Sequence, residues 1–165
     1  MRQECLIKAI KVNISSDEAK KIGQLSQPHH EDLDVKEFFY PYLHFKTKYQ
    51  APFLLGKKRL LIDCLVDGCN GNAATSDPFE SEGLMIQLRD LMTTKIEYDK
   101  AQYAAKRYVT NHLSRKFKAI SNYNVSMKAE GLIYKLFWVL KYSDHSLLVD
   151  SVNGELQRID IKQSA

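Results

Sequence analysis

Two stretches of the chain, FFYPYLHF (38–45) and YKLFWVLKY (134–142), are apolar or aromatic on both alternating sets of positions. Runs rich in aromatic and β-branched residues that lack a polar face predict strands covered on both sides. LLIDCLVD (60–67) behaves differently. Ile62, Cys64 and Val66 fall on one face, and Asp63 and Asp67 on the other, the signature of a half-buried strand. Short strands are predicted at NAATS and ELQRIDI, each after a turn, and hairpin tips at Gly56-Lys57-Lys58 and SDHS. A helical period takes over near residue 98, where Ala101, Ala105, Tyr108, Val109, His112 and Leu113 share a face. A second helix opens within ISSDEAKKI (14–22), where Ser15 and Glu18 have the spacing of a capping box. The polar, proline-broken segment 24–37 predicts a loop. Residues 76–94 read as a connector, in which LMIQLRDLM adds a strand or short helix.

One heptapeptide recurs almost unchanged, LVDGCNG at 65–71 and LVDSVNG at 148–154. Asp67-x-x-Asn70-Gly71 and Asp150-x-x-Asn153-Gly154 are tight-turn sequences. The Asp carboxylate bonds backbone N–H groups just ahead of it, and Asn and Gly tolerate positive φ. Each turn follows a helix start and an aromatic strand, in that order. The pattern therefore predicts an α+β protein of two duplicated modules, each one helix packed on an antiparallel β-meander. Their bounds are 1–77 and 92–165, with a linker at 78–91. Helix, aromatic strand and Asp-x-x-Asn-Gly turn together resemble the PepSY group of small α+β modules. The matching residues are Ile14, Ser15, Glu18 and Ala19 with Asp67 and Gly71, then Ile96, Asp99 and Ala101 with Asp150, Gly154 and Glu155. The resemblance implies tandem PepSY-like modules, a group linked to peptidase propeptides and usually exported or membrane-tethered.

Charge changes the picture regionally. The chain's net charge of +4 points to no particular partner. Between Lys100 and Ala129, however, there are basic residues and no acidic one. Lys100, Arg107 and Lys118 form an outward ridge flanked by Lys106 and Arg115. A solvated helix face is the simpler reading. The alternative is an anionic partner, with Tyr103 as a stacking group.

Catalytic signatures are weak. Cys64 sits on an apolar strand face and reads as a core thiol, and Cys5 and Cys69 show no metal-ligand spacing. His29-His30-Glu31-Asp32 reads as a solvated loop, His112 as a helix core residue, and Asp144-His145 as a hairpin tip. No phosphate-binding glycine motif is present. No catalytic residue, metal or cofactor is expected. Tyr40, Tyr42 and His44 alternate on one strand face. With Trp138 they define a candidate aromatic groove for a peptide or ligand.

No signal peptide or membrane span is expected, and three cysteines suit a reducing, cytoplasmic setting. The function these features favour is a non-catalytic binding or scaffolding protein. Its expected partner is another protein, with homo-oligomerisation left open. The alternative is a nucleic-acid or acidic-partner binder acting through helix 98–118.

Overall fold

The aromatic runs become two unusually long strands. In the computed structural model, which describes residues 3–29, 34–53, 56–117 and 124–160, β2 (Asp34–Phe53) is 20 residues long and β6 (Asn124–Lys141) is 18. The usual strand has 3–10 residues. The remaining elements are β1 (Glu4–Ile10), α1 (Ser16–Ser26), β3 (Gly56–Asp67), β4 (Ala73–Ser76), β5 (Ser81–Gln87), a 3-10 turn (Leu88–Asp90), α2 (Tyr98–Phe117), β7 (His145–Asp150) and β8 (Leu156–Asp160). The strands hydrogen-bond in the order β4-β3-β2-β6-β1-β5, and β7 and β8 continue from β6. This mixed sheet contains antiparallel pairs such as β2–β3 and β6–β7 and a parallel pair, β1–β6.

The expected pair of consecutive helix-on-meander modules is overturned. The described strands form one mixed eight-stranded sheet. The chain divides into two compact units that are discontinuous in sequence. Unit 1 gathers residues 1–40, 80–92 and 134–165, and unit 2 gathers 41–79 and 93–133. Each long strand gives part of its length to each unit. The helices are also not grouped as expected. In unit 1, α1 packs on β7, and in unit 2, α2 packs on β3 and β4. The physical reason lies in the turns. In unit 2, Lys95 and Ile96 donate their N–H groups to the Gly68 carbonyl at 2.7 and 3.0 Å. In unit 1, Asn13 and Ile14 donate to the Ser151 carbonyl at 2.9 and 2.8 Å. Each helix start is thus anchored on the turn of the other half of the chain.

Locally the turn chemistry is as the sequence requires. Asp67 Oδ1 accepts from the N–H groups of Cys69 and Asn70, and Gly71 N–H returns to the Asp67 carbonyl. Asp150 Oδ1 accepts from Val152, and Gly154 N–H returns to the Asp150 carbonyl. The Asn70 and Asn153 side-chain carbonyls accept from Asn72 and Glu155. Gly71 and Gly154 sit at φ +78° and +76°, where a Cβ is strained. The capping box also forms, with Ser15 Oγ accepting from Glu18 N–H and the Glu18 carboxylate from Ser15 N–H. The Ser15 N–H, and after it the Ser15 hydroxyl, holds the Glu18 carboxyl below its ordinary range.

Each unit has its own core. In unit 1, Phe39, Leu136, Trp138, Leu140 and Val149 pack with Ala19 of α1. In unit 2, Phe45, Cys64 and Val66 pack with Ala101, Ala105, Val109 and Leu113 of α2. Burying each large apolar side chain contributes about 1.5–3 kcal/mol. β1 is the unexpected element; it pairs with β5, which overlaps the strand or short helix expected in LMIQLRDLM, from Glu4 opposite Gln87 to Ile10 opposite Ser81. Part of the segment expected as a loop, from Asp34 onward, is the start of β2. Among the described residues no helix is long and apolar enough to cross a membrane.

Candidate anion-binding surface

In unit 2 the small residues of α2 turn inward. Ala101, Ala105, Val109 and Leu113, spaced four apart, are fully buried, which fixes the opposite face outward. Lys100, Lys106, Arg107 and Arg115 are all exposed on it, as the pattern predicts, whereas Lys118 lies outside the described residues. Lys100 pairs with Glu97 at 3.4 Å. Lys106, Arg107 and Arg115 have no carboxylate partner among the described residues. Arg115 and Lys116 also lie in the last helical turn, where cations complement the helix dipole.

The charge is not shared evenly. Unit 2 carries thirteen basic and six acidic residues, a net charge of +7, and unit 1 carries eleven and fourteen, a net −3. Beside the ridge, a concavity of about 400 Å³ opens between the Gly71–Ala73 segment and α2. Tyr103, Arg107, Tyr108 and Asn111 line its helical side, and Asn72 its turn side. Tyr103 is 68% exposed, far more than a tyrosine needs for packing. The turn that shapes the core thus also shapes one wall of the concavity.

The sheet face of unit 2 opposite α2 was legible in the sequence only strand by strand, as the polar side of β3 with Asp63 and the side of β2 with Tyr42 and His44. Strand register places His44, Lys46, Lys48 and Gln50 beside Leu65, Asp63, Leu61 and Arg59. Their inward neighbours Phe45, Cys64 and Val66 form the core. His44 is 5% exposed; its Nε2 lies 2.7 Å from Asp63 Oδ1, and Phe79 covers the ring at 4.9 Å. Lys128 bonds Glu130 at 3.3 Å and holds that carboxyl below its ordinary range, with lesser help from Lys46 and His44. Period-two counting along β2 and β3 would have located this face, had the pairing register been known.

The candidate aromatic groove does not assemble as expected. In unit 1, Tyr40 meets Phe38 and Phe137 edge-on, at 6.2 and 6.3 Å. Trp138, adjacent to Phe137 in β6, faces the other way into the core, where its Nε1–H donates to the Ile14 carbonyl at 2.7 Å. Tyr42 and His44 belong to unit 2. The thiol of Cys64 is wholly buried, and burial pushes it up to about 11. His112 stacks on Tyr108 at 6.2 Å. His145 is buried, flanked by Asp144 and Gln27 and stacked on Tyr142 at 4.7 Å. His29 is exposed, and His30, Glu31 and Asp32 lie outside the described residues.

Comparison of the chain with protein-family models, curated proteins and solved structures found no match.

Proposed function

We propose that this chain is a non-catalytic binding protein that holds single-stranded nucleic acid on the outward face of α2. The concentration of charge carries the reading. A net +7 gathers on unit 2, and three of its helix cations lack carboxylate partners among the described residues. Polyanions are attracted to the unpartnered cations of the α2 face, within a unit of net positive charge, because each neutralised phosphate releases a condensed counterion. The concavity beside Arg107 favours nucleic acid over an acidic protein. Tyr103 offers an exposed ring face on which a base stacks, and Asn72 and Asn111 offer amide groups for base edges. The deep burial and raised pKa of Cys64 argue against nucleophilic use of that thiol.

Fluorescence anisotropy with a labelled single-stranded oligonucleotide tests the proposal. Affinity should fall steeply between about 50 and 200 mM salt. Lys106→Gln, Arg107→Gln and Arg115→Gln together should weaken binding and flatten the logarithmic salt slope by about 2, at roughly 0.7 for each phosphate left unneutralised. No binding at the lower salt, or a triple variant that binds like the wild type, would remove the proposal. An acidic polypeptide such as poly-glutamate is the necessary control. If it binds as tightly as the oligonucleotide, the surface recognises charge alone.

A further inference from the structure

Among the described residues β4, β5 and β8 are the outer strands of the sheet. Short strands and charged side chains keep such edges from pairing with another chain. β4 has only 4 residues, and β8, LQRID, carries Arg158 and Asp160. β5, SEGLMIQ, lacks both protections. It has 7 residues and no proline, and its one charged residue, Glu82, shares a face with the core-packed Leu84 and Ile86.

Pairing with β1 fixes which groups β5 presents. In an antiparallel pair alternate residues bond the neighbouring strand, and those between them turn N–H and C=O away from it. At the two ends of this ladder Leu88 N–H donates to the Gln3 carbonyl and Lys11 N–H to the Glu80 carbonyl, each at 2.9 Å. Between them the register runs without a bulge from Glu4 opposite Gln87 to Ile10 opposite Ser81. Glu82, Leu84 and Ile86 therefore bond β1, and Ser81, Gly83, Met85 and Gln87 turn their backbone groups outward. Among the described residues no other backbone bonds these outward groups. The side chains away from the core add an apolar pair: Met85 stands beside Leu6, and the two are 63% and 71% exposed. Next to them Gly83 leaves a gap, in which a Cβ would meet Leu6 at 3.6 Å.

We infer that β5 pairs antiparallel with β5 of a second copy of this chain, about a two-fold axis at Leu84. Only this register uses every outward backbone group, setting Ser81 against Gln87 and Gly83 against Met85 of the second copy. Each contact is then made twice, the closed symmetry of most dimers. Met85 fills the gap over Gly83 of the second copy and touches its Leu6, so the exposed apolar pair is covered from across the axis. Glu82 lies opposite Ile86, and no like charges face each other. An unrelated extended peptide could bond the same backbone groups, but the fit of Met85 to Gly83 belongs to the chain's own sequence. The inference does not depend on the reading of α2.

Edge pairing over 7 residues buries little area, so the dimer should dissociate on dilution. Sedimentation velocity over about 1 µM to 1 mM should show a reversible monomer–dimer equilibrium. Met85→Lys should weaken it by about tenfold or more, because it brings two uncompensated ammonium groups together across the axis. Met85→Leu should retain it. Met85 is exposed, so matching melts of the dilute proteins will show that the lysine variant folds. The register has its own readout in the wild type. Glu82 and Ile86 are about 13 Å apart along one strand. In the dimer they become a non-hydrogen-bonded pair, whose Hα atoms are in contact. An NOE between these two protons is expected at high concentration and should vanish on dilution. The inference is overturned by a wild type that stays monomeric throughout, whether or not its edge takes up an added peptide. A Met85→Lys protein that dimerises like the wild type, or a dimer without the Glu82–Ile86 NOE, would overturn it equally.

Discussion

In unit 2 a helix start is hung from the carbonyl of Gly68, and in unit 1 another is hung from the carbonyl of Ser151. Both carbonyls sit one residue after an aspartate whose carboxylate organises the turn, and both turns close on a glycine with positive φ. Inside each helix two small residues four apart face the sheet, Ala19 and Gly23 in α1, Ala101 and Ala105 in α2. The turn and the seat of the helix start are therefore built alike. The surfaces are not: unit 1 carries a net −3 and unit 2 a net +7. Residues common to both units explain how each holds its helix. Residues that differ are where separate binding roles should be sought.

The largest expected difference between the two turns lies at their aspartates. Asp150 is buried and paired with Lys135, whose side chain keeps only 21% of its exposure. Asp150→Ala should cost about 2–3 kcal/mol, because it removes a turn acceptor and strands a partly buried cation. Asp67→Ala should cost about 1–2 kcal/mol, the scale of losing a cap. Equal losses in urea denaturation would mean that the Lys135 pair contributes nothing.

The helix interiors give the next effect. A Cβ on Gly23 would collide with Cδ1 of the wholly buried Leu140. Gly23→Ala should therefore destabilise by about 1–3 kcal/mol through overpacking, although alanine is the better helix former. Ala105→Gly in α2 should cost about 1 kcal/mol by propensity alone. A Gly23→Ala protein that melts higher than the wild type would show that α1 has room to shift.

The turn glycines should respond alike. Gly71→Ala and Gly154→Ala each force a Cβ into positive φ and should each cost about 1 kcal/mol. Gly154 should lose slightly more, since its Cβ would meet Ile22 at 3.3 Å, whereas Gly71 meets Ile96 at 3.5 Å. The smallest stability effect belongs to the cationic ridge. Replacing Lys106, Arg107 and Arg115 by Gln should change stability by less than about 0.5 kcal/mol each, because exposed charges contribute little to folding.

Sequence and structure agree at most places where the cause is local, although Gly56-Lys57-Lys58, expected as a hairpin tip, is the start of β3, paired with Phe53, Pro52 and Ala51. The capping box of Ser15 and Glu18, the two Asp-x-x-Asn-Gly turns and the buried face of α2 depend on residues within a few positions of one another. They diverge where the cause is distant. Two turns with the same chemistry offer equal seats to a helix start. Nothing in either heptapeptide says that Ile14 goes to Ser151 and Ile96 to Gly68. The charge contrast was hidden for a related reason. Unit 2 is assembled from 41–79 and 93–133, so Lys46, Lys48 and Arg59, on the sheet face opposite α2, share a unit with Lys106 and Arg107 only after folding. The aromatic groove failed on parity. Trp138 lies one residue from Phe137, and one residue is enough to turn a side chain to the opposite face of a strand.

The central claim is that two units built alike at their turns differ in what they bind. Backbone amide NMR of the full chain, titrated with a single-stranded oligonucleotide at low salt, tests it residue by residue. The account predicts shift changes in Tyr103, Arg107 and Asn111 and in the Gly71–Ala73 segment, reversed by added salt, with the Asp150–Gly154 turn unmoved. Changes confined to unit 1, or spread equally over both turns, would contradict it.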